Sequence, residues 1–192
     1  TELLSAKKIE YSNAKNVGEA LQAVGASFVK SYGAVGSIET LSLRGSTDSQ
    51  VLVLIDGQRL NDARQGSVDL SSIPIAAIQR IEVVKGGHAA LYGSDAIGGV
   101  VNIITKSTMN KSDLYFSANE LYGTYNTRIH DVSVGQGINN FGYFISYNRT
   151  QSDGNYDYIN NSGAKVTFAN SDTKLDNIFF KTGYLFNNNS RL

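Results

Sequence analysis

The chain contains no cysteine. That excludes disulfides, thiolate metal sites and a cysteine nucleophile, without fixing the compartment. Proline occurs once, at Pro74. There is no excess of either charge, 17 Lys plus Arg facing 17 Asp plus Glu, so the basic field that nucleic-acid binding needs is missing and no such partner is expected. No apolar run approaches the ~20 residues of a membrane helix. No N-terminal stretch has the basic start, apolar centre and cleavage site of a signal peptide. A membrane protein made of this sequence would have to be a β-barrel, because only helices and closed barrels satisfy the backbone in lipid.

Catalytic patterns are missing too. Gly93-Ser-Asp-Ala-Ile-Gly98-Gly99 follows a phosphate loop for six residues, but Gly99 stands where lysine is required and a strand follows instead of a helix. No G-x-S-x-G elbow occurs. His88 and His130 have no ligand-like spacing and no sequence neighbour to assist acid–base work. They read as a polar residue of a turn-rich segment and a surface strand residue. No enzyme and no catalytic residue is expected.

What is present changes character near residue 110. Of the 19 Tyr and Phe, 15 lie beyond that point. The first half holds most of the Ile, Val, Ala and Gly, and at 41% hydrophobic and 18% charged the whole chain can bury a core. Two domains are expected, 1–108 and 109–192.

The first half reads as a small α+β unit. Residues 5–10 and 16–24 look helical; Asn16 can cap the second helix, whose Val17, Ala20, Leu21 and Val24 share one face. Strands are expected at 41–44, 51–55, 78–84 and 99–105, in one mixed four-stranded sheet. The run Val51-Leu-Val-Leu-Ile55 suggests a central strand covered on both faces. Asp56-Gly57 turns the chain, and Pro74 suits the first turn of a short helix.

The second half alternates. Phe141, Tyr143, Ile145 and Tyr147 share one parity, with Phe144 the exception; Ile178, Phe180, Thr182, Tyr184 and Phe186 repeat it. Weaker examples span 114–122 and 127–137. The strands are long enough to cross a bilayer at a tilt. Alternation alone leaves two readings open, membrane strands or a soluble antiparallel sheet. The connections favour the former: short at 123–126 and 139–140, about twenty residues at 152–174, matching the short turns and long outer loops of outer-membrane barrels.

Three ordered blocks then carry a resemblance. They are Leu41-Ser-Leu-Arg-Gly45, Val51-Leu-Val-Leu-Ile-Asp-Gly-Gln-Arg-Leu-Asn61, and Ser72-Ile-Pro-Ile-Ala-Ala-Ile-Gln-Arg-Ile-Glu-Val-Val-Lys-Gly-Gly-His-Ala-Ala-Leu-Tyr-Gly-Ser-Asp-Ala-Ile-Gly-Gly-Val-Val-Asn-Ile-Ile-Thr-Lys106. Together they resemble the plug signature of TonB-dependent outer-membrane receptors, and within that family the vitamin B12 receptors. Two departures stand out: Lys85-Gly86-Gly87 where the family usually has Arg-Gly-Pro, and Gly25-Ala26 where it has Pro-Gly after the second helix.

The resemblance implies a fold: an α+β plug followed by the first four antiparallel strands of a larger, here truncated, transmembrane β-barrel. It implies the outer membrane, contact with its lipid, and active uptake of a scarce nutrient, cobalamin or a ferric siderophore. TonB would engage a segment upstream of Thr1. A receptor that mainly signals, or that takes up another nutrient, is the alternative; an encoded plug argues against an open porin.

Site residues follow from the same resemblance. Segments 32–37 and 61–67 match the apical, nutrient-facing loops by position between the blocks. Gly33, Ser37, Asn61, Arg64, Gln65 and Ser67 offer close backbone approach and side-chain hydrogen bonds; the alternative is ordinary polar surface loops. Asp157, Asp172 and Asp176 fall where vitamin B12 receptors bind calcium, or they belong to a solvated Asn/Asp-rich loop. No other cofactor is expected. Arg44 and Glu82 sit at or beside strand ends, either as surface charge or as groups that dock plug and barrel.

Overall fold

The computed structural model describes all residues except 25–26, 34, 63–65, 86–91, 94–95, 109–111, 169–170 and 187–192. Contacts divide the chain into two compact units, one of residues 1–32 and 37–106, the other of residues 33–36 and 107–192.

The first unit opens with a strand that the sequence pattern does not reveal, β1 (Glu2–Ser5). Helix α1 (Ala6–Tyr11) follows, capped by Ser5, whose hydroxyl accepts from the Lys8 N–H. Helix α2 (Val17–Gln22) starts where the capping signal placed it: Asn16 Oδ1 accepts from Glu19 N at 2.8 Å, and Glu19 reaches back to Lys15 N at 2.9 Å. Its Val17, Ala20 and Leu21 are buried at the expected helical spacing.

Strand β2 (Ser27–Ser31) pairs antiparallel with β3 (Glu39–Leu43) in a separate two-stranded sheet. This is where the fold departs from expectation. The 41–44 strand leaves the main sheet because β2, hidden from the pattern by its mixed Ser-Phe-Val-Lys-Ser composition, takes its hydrogen bonds. Leu41 and Leu43 instead help form a local core with α2 and Leu70.

The main sheet is mixed and five-stranded, in the order β1–β6–β7–β4–β5. It contains β4 (Val51–Ile55), β5 (Gln58–Arg59), β6 (Ile78–Val84) and β7 (Gly99–Thr105). Strands β4 and β7 run parallel, Val51 opposite Gly99, and β6 is antiparallel to β7. Val51, Leu52, Val53 and Leu54 are all buried, as a centrally placed apolar run requires. Asp56 and Gly57 both have positive φ and form the tight turn into β5. The Asp56 carboxylate then accepts from Thr105 N and Thr105 Oγ1, at 2.9 and 2.5 Å, tying the β4 turn to the end of β7. Pro74 lies just before a single 3-10 turn, Ile75–Ala77, rather than inside a helix.

The second unit is a four-stranded antiparallel sheet in the order β13–β10–β9–β8. Its strands are β8 (Tyr115–Gly123), β9 (Thr127–Ile138), β10 (Phe141–Ser152) and β13 (Thr173–Tyr184). Tyr125 and Asn126, both at positive φ, make the β8–β9 turn, and Asn139 and Asn140 the β9–β10 turn. The long connection holds a small hairpin of its own, β11 (Asp157–Ile159) with β12 (Lys165–Thr167), which the sequence pattern does not reveal.

The two faces of this sheet differ. One presents exposed apolar side chains: Phe116, Val132, Ile138, Phe141, Ile145, Ile178, Phe180 and Tyr184. The other carries small and polar residues, Ser133, Ser146 and Asn148 among them, around the buried Phe144. The parity exception at Phe144 is thus an inward aromatic, 1% exposed and flanked by Tyr115 and Phe179.

Candidate functional site

Tyr32 and Ile38 flank the ends of β2 and β3. Tyr32 N donates to Ile38 O at 3.1 Å, and Ser37 Oγ lies 3.0 Å from Ser31 Oγ. Gly36 takes φ +81°, which glycine adopts freely. Gly33 and Ser37 therefore occupy the loop the sequence picked out. Beside them stand the exposed Phe28, which the sequence reading passes over, and the exposed Tyr32 at the start of the segment, with the Lys30 ammonium 4.3 Å from the Tyr32 ring centroid. The available signal was an i, i+2, i+4 row on one strand face, Phe28, Lys30 and Tyr32.

The second candidate loop begins at Asn61. Its side-chain Oδ1 accepts from Val53 N at 2.8 Å, and its Nδ2 donates to Val51 O at 2.9 Å and Gly66 O at 2.6 Å. Both polar atoms of the carboxamide are committed to backbone, so Asn61 positions the loop and does not present hydrogen bonds outward. Within the loop, Gly66 N donates to Asp62 O at 2.8 Å and Asp62 N to Ser67 O at 3.2 Å. Ser67 ends this closed segment, half-buried. Arg64 and Gln65, the two side chains best suited to reach a ligand, lie outside the described residues.

Of the proposed docking charges, Arg44 is exposed in a turn with φ +55°, and Ser46 N donates to Leu43 O across it. Glu82 is half-buried on β6 and accepts from Arg80 Nε at 2.8 Å and Asn102 Nδ2 at 3.4 Å. Its charge is thus partly answered inside its own sheet.

Among the described residues no group of three or more His, Cys, Asp or Glu is placed to hold a metal ion. Asp157 is committed to Lys165 Nζ at 2.8 Å and Thr167 Oγ1 at 2.7 Å, across the β11–β12 hairpin. Those hydrogen bonds, Lys165 first, hold its carboxyl below the usual range. Asp176 accepts from Tyr147 OH at 2.5 Å and pairs with Arg149 at 3.8 Å. Calcium wants several convergent oxygens; here Asp157 and Asp176 are each engaged by partners of their own, and Asp172 is exposed.

His130 is the strand residue the sequence suggested, and its Nδ1 lies 3.1 Å from Glu120 Oε1. His88 lies outside the described residues, as do two residues of the Gly93–Gly99 stretch. Gly98 and Gly99 have a packing explanation: a side chain at Gly99 would meet Leu43 Cδ1 at 2.7 Å and Val84 O at 2.8 Å.

A family model described as TonB-dependent Receptor Plug Domain matches residues 1–100. The vitamin B12 transporter BtuB of Vibrio cholerae serotype O1 is 37% identical over 137 residues, which is 71% of this chain. The chain spans 22% of the length of these curated relatives. Among solved structures, the FrpB iron transporter from Neisseria meningitidis aligns with a TM-score of 0.75 at 19% identity, over 98% of this chain and 30% of that one. The unliganded ferric citrate transporter FecA aligns with a TM-score of 0.72 at 23% identity, over 95% and 28%. Both structural matches extend over nearly the whole of this chain, and so over both of its units.

Proposed function

Because the chain belongs to the TonB-dependent receptor plug domain family, a family of outer-membrane receptors and transporters and not of enzymes, we propose that it supplies the plug and the first barrel strands of a nutrient importer. The plug would comprise residues 1–108 and the barrel strands 109–192. The nutrient is cobalamin or a ferric siderophore, taken up by TonB-coupled transport. The observation that carries the reading is the junction of two unlike units in one chain. A compact mixed-sheet unit runs directly into strands with apolar side chains on one face and small, polar ones on the other. A lumen-filling plug and a lipid-facing wall need these opposite surfaces.

In this reading segments 32–37 and 61–67 face the nutrient. Gly33 and Ser37 let it approach the first of them. Asn61 and Ser67 fix the ends of the second loop, and Arg64 and Gln65 make the side-chain contacts. Arg44 and Glu82 hold plug and barrel in register. Catalysis has no part in the mechanism; the plug binds, seals and is displaced when TonB pulls. Similarity to BtuB favours cobalamin over the siderophores.

The test is uptake by a strain lacking its own vitamin B12 and siderophore receptors and carrying the full-length gene. Import of labelled cyanocobalamin that stops when TonB is deleted supports the reading. Import of ferric siderophore alone moves the nutrient assignment. Binding of either without any TonB-dependent import overturns the transport mechanism.

A further inference from the structure

The apolar face of the second unit ends abruptly. One register row crosses all four strands, Glu120 opposite His130, His130 opposite Arg149, and Arg149 opposite Asp176. Every residue of this row is ionisable. The row next to it, towards the β9–β10 turn, is Ala118, Val132, Tyr147 and Ile178, and the one after is Phe116, Val134, Ile145 and Phe180. The change from apolar to charged therefore falls at the same level on four separate strands. A soluble sheet has no reason to change polarity along one line; a sheet that leaves hydrocarbon there does.

The side chains of this row partner one another. His130 Nδ1 meets Glu120 at 3.1 Å, Arg149 meets Asp176 at 3.8 Å, and Tyr122 OH donates to Glu120. Mutual pairing lowers the desolvation penalty of charges held against an apolar boundary. One row further out lie Tyr122, Arg128, Gln151 and Lys174. Arg128 and Lys174 are exposed, and among the described residues neither pairs with a carboxylate; Arg128 Nε donates only to the neutral Asn126 Oδ1 at 3.2 Å. The long 153–172 connection leaves the sheet at this same end, which is the outer end in barrels of this architecture.

We propose that Arg128 and Lys174 bind the phosphate-bearing headgroup of an outer-leaflet lipid. They sit on β9 and β13, either side of β10, about 10 Å apart at two strand spacings. Their long side chains can converge on one phosphate or hold two phosphates of one headgroup. The Arg128 guanidinium supplies paired donors matched to phosphate oxygens, and Lys174 supplies a point charge. Gln151, in the same row, adds a neutral amide donor beside them. The acid side chains are one row lower, and each already has a partner of its own. The proposal rests on the apolar face being lipid-facing, and the test separates the two ideas.

The full-length receptor containing these residues is inserted into vesicles of equimolar phosphatidylcholine and phosphatidic acid, and co-purifying lipid is counted by native mass spectrometry. The wild type is expected to retain phosphatidic acid preferentially. The preference should fall as salt is raised, because exposed charges are screened. R128Q and K174Q should each lower the retention ratio about fivefold, and the double variant should bring it to near unity. K165Q removes a cation from the β11–β12 hairpin, off the sheet face, and should leave the ratio unchanged. An unchanged ratio in the double variant, or a salt-independent wild type, overturns the headgroup site while leaving the lipid-facing wall intact. A receptor that inserts into no vesicle overturns both.

Discussion

Asn61 holds the backbone of Val53 as a neighbouring strand would: its side-chain oxygen accepts from Val53 N at 2.8 Å where the β5 pairing has ended. The same carboxamide grips Val51 O and Gly66 O. Asn61→Ala should therefore destabilise the plug by about 2–3 kcal/mol, through lost hydrogen bonds and backbone groups left unmet. Asn61→Asp keeps the acceptor but loses both donor bonds, and should fall between. Urea unfolding followed through the plug would measure this. A variant as stable as wild type but with weaker nutrient binding would return Asn61 to direct ligand contact.

Gly99 sits at φ +152° with Leu43 Cδ1 and Val84 O where a Cβ would go. One of those atoms is backbone and cannot swing away. Gly99→Ala is expected to cost about 2–4 kcal/mol or to prevent plug folding. Gly45 has φ +78° with nothing within 4 Å of its would-be Cβ. Gly45→Ala should cost only the left-handed backbone penalty, about 1–2 kcal/mol. Comparing the two midpoints by denaturant titration separates close packing from backbone strain.

Much of this fold is legible in the sequence, for physical reasons that differ by element. The β4 run, the Asn16 cap and the Asp56-Gly57 turn are local signals, each sufficient by itself. Strand β2 is not legible, because Ser27, Lys30 and Ser31 look like a loop and become a strand only by pairing with β3. Its hidden pairing is what moves β3 out of the main sheet. The type of Asn61 suggests ligand contact in the sequence, and only the tertiary fold shows its carboxamide hydrogen-bonded to Val51, Val53 and Gly66. Likewise, the polarity boundary along Glu120, His130, Arg149 and Asp176 requires the register of four strands.

Glu39 should make plug stability pH-dependent in an unusual direction. Burial raises its pKa above the ordinary carboxyl value, outweighing the hydrogen bond from Asn16; Glu19 and Asp69 push the same way as burial, and Lys15 opposes them. Its Oε2 is buried with no hydrogen-bond partner. A carboxyl with a raised folded pKa binds more protons folded than unfolded, so stability rises as pH falls through the folded pKa and the gain is lost above it. Glu39→Gln should remove this component and stabilise the plug at neutral pH. Unfolding midpoints at pH 7 and just below the normal carboxyl pKa test it; a larger wild-type stability at neutral pH, reversed by Glu39→Gln, would contradict the assignment.

Asp157 is expected to show the opposite sign. Its hydrogen bonds to Lys165 and Thr167 lower its pKa, so the β11–β12 hairpin keeps that support above the unfolded carboxyl pKa and loses it as pH falls through the folded value. Protection of the amides in residues 157–167, taken relative to their intrinsic exchange at each pH, should fall in acid, and Asp157→Asn should remove that acid sensitivity. The same variant tests calcium from the other side: with the carboxylates dispersed as they are here, adding calcium should not slow exchange in this hairpin.

The apolar face of the second unit yields the sharpest distinction between a membrane wall and a soluble sheet. Phe180 lies in the row of Phe116, Val134 and Ile145, two rows inside the charged boundary, and is 61% exposed within this chain. Tyr184 lies on the same face beside the Asn139–Asn140 turn, near the opposite margin of the sheet. In a bilayer an arginine costs about 2–4 kcal/mol at the midplane and about 0–1 near the interface. Phe180→Arg should therefore strongly impair folding of the full-length barrel into lipid, while Tyr184→Arg should be nearly neutral. Phe179, the inward neighbour of Phe180, packs with Phe144 at a ring-centroid distance of 6.3 Å. Phe179→Ala should lower stability by loss of packing whether or not lipid is present. In a soluble sheet the depth dependence vanishes: Phe180→Arg and Tyr184→Arg would behave alike, and both would raise solubility by breaking an exposed apolar patch. Folding yields of the three variants into vesicles, read by heat-modifiable gel mobility, decide between the two. Equal yields for Phe180→Arg and Tyr184→Arg would sink the lipid-facing assignment and the headgroup site with it.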